Sequence, residues 1–84
     1  MSPRIWSYSQ VDFFIRTRES AYEPPHIHAK SPQFEVRVNL ITGEFMESLP
    51  KGKEKWLQAI VKEHLEEFRQ AWDRYHPQRG GPWS

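Results

Sequence analysis

At Lys53 the hydrophobic period of this chain changes from two residues to between three and four, and that switch limits the possible folds more than any other feature. Beyond it, Trp56, Leu57, Ile60, Val61, His64, Leu65, Phe68, Trp72 and Tyr75 recur at spacings of three and four, the stripe of an amphipathic helix. The other side carries Lys62, Glu63, Glu66, Arg69, Gln70 and Asp73, with Lys62 and Glu66, and Arg69 and Asp73, one turn apart and of opposite charge. Pro77 cannot continue a helix, and "QRGGPWS" after it reads as a flexible tail over 77–84.

Before the switch the period is that of strands. In "FEVRVNL", Phe34, Val36, Val38 and Leu40 fall on one side and Glu35, Arg37 and Asn39 on the other, as in a half-buried strand. "TGE" then supplies Gly43 for a turn, and "FMESL" alternates again through Phe45, Glu47 and Leu49, which predicts a hairpin. Upstream, "VDFFIRTR" predicts the first long strand, with Val11, Phe13, Ile15 and Thr17 opposite Asp12, Phe14, Arg16 and Arg18. "HIHAK" predicts a short strand after Pro25, and "KSPQ" a turn out of it. The expectation is an α+β fold of β-β-β-β-α order: an antiparallel sheet of about four strands with one long C-terminal helix on one face, in a single domain over 1–76.

Lengths carry this further. A helix of about twenty-two residues is roughly 33 Å long, whereas four strands span only about 19 Å across. The helix must overhang the sheet, so Trp72 and Tyr75 in its last turns need cover from a second protomer or from the folded-back tail with Trp83. At 84 residues a lone core gives marginal stability, which also favours a homodimer. There is no Cys, hence no disulfide framework or thiolate site. The N-terminal "MSPRIWSYSQ" has no secretory pattern, and no apolar run approaches membrane-spanning length, so a cytoplasmic protein without membrane association is expected. A net charge of +1 argues against nucleic-acid binding through overall charge, but a local basic patch could still bind it.

The chemistry-bearing stretch is "EPPHIHAK". Parity turns Ile27 and Ala29 toward the core and leaves His26, His28 and Lys30 on the polar side, which explains the paired imidazoles without any activity. Two functional readings compete with that plain one. In the first, His26 and His28 hold a metal with Glu23 or Glu35 as a carboxylate ligand, although His-x-His alone supplies too few ligands. In the second, one protonated and one neutral imidazole act as acid and base, as in small ribonucleases, with Arg16, Arg18, Lys30 and Arg37 positioning phosphate on the same face. No nucleophile is identifiable. "LPKGKEK" is a separate binding candidate, because Lys51, Lys53 and Lys55 gather where a helix dipole disfavours cations, a setting suited to RNA phosphate or an acidic partner. His64, on the apolar stripe, is expected to be a partly buried, hydrogen-bonded core residue.

Taken together, "SPRI" near the start, "PPHIHA", the "TGE" hairpin, "SLPK" and a helix ending in Trp resemble a family of small bacterial proteins, the domain-of-unknown-function family numbered forty-one sixty. The resemblance runs to about Asp73. It implies a bacterial protein of this length, often encoded beside another small domain in arrangements suggestive of toxin–antitoxin modules. His26 and His28 match the family's paired histidines, and Lys51 its basic position before the helix. Many members carry a further His close to the Pro-Pro pair, where this chain has Tyr22 and Glu23, a departure that counts against a three-imidazole metal site. The function expected is a non-enzymatic protein-interaction module without a cofactor, pairing with a small protein encoded nearby. The alternatives are a histidine-dependent nuclease or RNA-binding protein, and a metal-binding protein.

Overall fold

The structure, a computed structural model, describes residues 4–16 and 24–76, with side chains from Trp6 onward. Four strands, β1 (Arg4–Tyr8), β2 (Val11–Phe14), β3 (His26–Lys30) and β4 (Glu35–Asn39), form one antiparallel sheet in the order β1-β2-β3-β4. A single helix, α1 (Glu54–Tyr75, 22 residues), follows. The α+β class and the β-β-β-β-α order are those expected, but the strands differ at both ends of the sheet.

β1 lies in "RIWSY", a segment without a strand expectation. Its turn to β2 is Ser9-Gln10, both at positive φ (49° and 69°), as a two-residue hairpin requires. Asn-Gly or Asp-Gly would have announced such a turn; Ser-Gln does not. A register shift between Arg4 and Trp6 also breaks the alternation. Arg4 lies opposite Phe14, yet Trp6 lies opposite Phe13, so the pairing slips by one residue between them.

At the other end, Phe45–Leu49 is not a strand. The turn itself forms as expected: Gly43 takes φ 80°, and Asn39 Oδ1 accepts from the backbone N–H groups of Ile41 (2.8 Å) and Thr42 (3.2 Å). Two ladder bonds follow, Asn39 N–H to Glu44 O and Met46 N–H to Arg37 O, each 2.8 Å. Pairing then stops at the isolated bridge Val38–Phe45. A regular ladder would have Arg37 N–H donate to the carbonyl of Met46. Instead it donates to the Glu47 carboxylate, 2.7 Å away. A side chain thus replaces the backbone acceptor and ends the strand.

The core fills the space between one sheet face and the helix. Val11, Phe13, Ile15, Ile27, Ala29, Val36, Val38 and Leu40 meet Leu57, Val61, Phe68, Ala71 and Trp72, all buried. Phe68 is the centre of an aromatic contact with Phe13 (ring centroids 5.1 Å) and Trp6 (5.2 Å). Arg69 latches the helix to the end of β4, with Nε donating to Leu40 O (2.8 Å) and Nη2 to Ile41 O (3.1 Å). Gly52, at φ 84°, turns the chain into the helix, where Lys53 occupies the N-cap without a side-chain capping bond. His64 packs as expected, half-buried against Tyr8 at 4.3 Å, with Nδ1 3.3 Å from Glu67 Oε2. Trp56 departs from its stripe: in the first helical turn it is 37% exposed. Among the described residues no helix is long and apolar enough to cross a membrane.

Candidate functional site

On the polar-parity face of the sheet, strand register aligns Phe14 with His28 and Arg37, Asp12 with Lys30 and Glu35, and His26 with Asn39. The imidazoles of His26 and His28 share this face, as parity requires, and meet edge to face with centroids 5.0 Å apart. Their expected exposure is wrong: His26 is 1% and His28 6% exposed. Phe14 lies almost parallel to the His28 ring at 5.0 Å. Trp72, reaching from the helix, approaches the His26 ring at 5.9 Å and stacks on His76 at 3.8 Å. The result is a continuous row of rings, Phe14–His28–His26–Trp72–His76. An aromatic at a polar-parity position, Phe14, was the sequence sign that this face is covered. The spacing of four between Trp72 and His76 was the sign for the second half.

His26 is oriented by the chain that precedes it. Its Nδ1 lies 2.8 Å from Pro24 O; a carbonyl can only accept, so Nδ1 carries the proton and donates. Pro24 and Pro25 hold that carbonyl with fixed φ angles, and Leu40 N–H donates to Pro25 O at 2.9 Å. The Pro-Pro-His element therefore joins the start of β3 to the end of β4 and fixes one tautomer.

Beside His28, Arg37 Nε donates to Glu47 Oε2 at 2.8 Å, and Nη2 donates to the same oxygen. Burial raises the Glu47 pKa, but hydrogen bonds from the Arg37 side chain and backbone, the Arg37 charge and nearby His28 outweigh it and leave the pKa below the usual glutamate value. Arg37 is thereby engaged with a carboxylate rather than displayed for phosphate. Arg16 reaches Glu35 at 3.9 Å with both side chains about half exposed, a solvated pair of small energetic value. Lys30 is exposed at the far end of β3. Arg18 and Glu23 lie outside the described residues, as does the tail with Trp83. Among the described residues, no three or more His, Asp or Glu form a group that could hold a metal ion.

Lys51 and Lys55 are exposed and Lys53 is half-buried, but none joins the imidazoles. Lys53 sits by the β1–β2 and β3–β4 turns, at the opposite end of β3 from His26, roughly 13 Å along a five-residue strand. The two interface candidates also separate. Trp72 is fully buried within the chain, whereas Tyr75 is half-buried.

No curated protein and no solved structure matches the chain. The family model described as Domain of unknown function (DUF4160) matches residues 12–73, from β2 through the paired histidines to the last turns of the helix, and the chain belongs to that family.

Proposed function

We propose that this protein is a non-enzymatic protein-interaction module, bacterial and cytoplasmic, which pairs with a small protein encoded beside it in a toxin–antitoxin-like arrangement. The observation that supports this best is the burial of both imidazoles in the row of rings. Rings engaged on their faces and edges serve packing first, and reacting groups need access to substrate. Side chains available for contact lie elsewhere: Ile41 is large and exposed, and Tyr75 is the helix-end aromatic left to face a second copy in a homodimer. Co-expression with the adjacent reading frame tests the proposal. A stoichiometric complex on size exclusion is expected; two separate species after co-expression would refute it.

The rival reading, a histidine-dependent nuclease, draws support from the 5.0 Å contact between the two rings. Replacing both histidines by Ala distinguishes the readings. A nuclease loses cleavage while its melting temperature holds, whereas a packing pair loses stability.

A further inference from the structure

We propose that the cleft between the two hairpin turns and the start of α1 binds single-stranded nucleic acid. This inference is independent of the interaction-module reading and uses neither His26 nor His28. The cleft has a volume of about 190 Å³ and is bounded by the Ser9-Gln10 and Ser31–Gln33 turns, with Val11 and Phe34 in its lining and Trp56 and Lys53 on its helical side. Three properties point to a nucleotide chain.

The first is a stacking surface. Trp56 is 37% exposed, although its position in the hydrophobic stripe would have placed it in the core. An accessible indole offers a π face to any base, and stacking on aromatic side chains is the main sequence-tolerant way to hold an unpaired base. The second is charge. Lys53 Nζ lies 5.3 Å from the Trp56 ring centroid, Lys51 and Lys55 are exposed close by in the chain, and among the described residues no carboxylate lines the cleft. Phosphate adjoining a stacked base would meet ammonium groups there. The third is continuity. A second cavity shares Gln10, Ser31 and Pro32 with the first and leads on to Lys30, with Asp12 beside it. The shared residues make the two cavities adjacent, with Lys53 at one, Lys30 and Asp12 together at the other, and amide and hydroxyl side chains between that can hydrogen-bond base edges. A groove that follows the backbone and carries an aromatic platform suits a flexible strand better than a duplex, whose bases are already stacked.

The test is fluorescence anisotropy of the full chain with fluorescein-labelled eight-nucleotide oligouridylate, oligodeoxythymidylate and a duplex of equal length, at low and moderate salt. Wild type is expected to bind the single strands more tightly than the duplex, and the RNA and DNA arms identify the preferred sugar. Trp56→Ala should weaken single-strand binding about tenfold or more, with Trp56→Phe restoring most of it. Lys53→Gln should reduce the salt dependence by somewhat less than one counterion. Circular dichroism confirms that each variant is folded. Equal binding by Trp56→Ala and wild type, tighter binding to duplex, or no binding by wild type at low salt would each overturn the proposal.

Discussion

The two ends of the sheet are built from similar residue types and treated in opposite ways. At the end where β3 begins, His26, His28, Trp72 and His76 are all buried in ring contacts, and Pro24 accepts from His26. At the other end Trp56 is exposed beside Lys53, above an open cleft bounded by two turns. The difference shows that residue type alone does not set whether an imidazole or indole is buried. What separates the ends is whether the neighbouring residue is another ring or an ammonium group and a short turn.

The contrast breaks most sharply at the indoles. Trp72→Ala should cost about 3–5 kcal/mol, as for other fully buried aromatics, while Trp56→Ala should lie within about 0.5 kcal/mol of wild type; urea denaturation of both variants measures the gap. Similar losses at the two sites would mean that the ends are not differently packed. Next in size is His28→Ala, expected to destabilise by about 1–3 kcal/mol because it opens the stack on Phe14. His28→Phe should recover part of that loss, and a recovery would mark the ring, rather than its nitrogens, as the needed part.

At the turn end, replacing Ser9-Gln10 by Asn-Gly should raise stability by about 1 kcal/mol, because both positions have positive φ and Gly adopts it without steric cost. A lower melting temperature in that variant would show that these side chains do more than bridge two strands. The smallest effect concerns acid. Glu47 has a lowered folded pKa, so its contribution is complete above the ordinary glutamate value and is lost as pH falls through the folded one. Glu47→Gln should remove this step from the acid limb of a stability–pH curve, at a cost near neutral pH of roughly 1 kcal/mol, reduced by the exposure of the carboxylate. An unchanged acid limb would detach Glu47 from the closure of β4.

Where local pattern and packing agree, the sequence was a reliable guide. The helix, the alternation of β4, the parity of Ile27 against its flanking histidines and the turn at Gly43 are each set by residues within a few positions of one another. β1 was hidden because its turn uses two residues that seldom adopt positive φ and because its extra residue cancels the alternation that marks a strand. Phe45–Leu49 has the alternation and lacks the pairing, since the competing acceptor at Arg37 is a side chain two residues past the bridge. The site was half legible. Register put the two imidazoles on one face, but the ring that meets His26 from the helix is Trp72, forty-six positions beyond it in the chain, and no local window contains such a contact. Periodicity puts Trp56 on the core stripe, but it describes direction around a helix, not where along its axis the sheet ends.

The irregularity between Arg4 and Trp6 bears on how the molecule behaves in a crowded solution. A straight outer strand of five residues would offer its unused amides and carbonyls as a template on which another chain could lengthen the sheet. The inserted residue bends that template and interrupts its hydrogen-bond spacing after three regular positions. Removing Ile5 would straighten it, and the expected price is gain of self-association: fibrillar or higher-order species at concentrations where the parent chain stays dispersed.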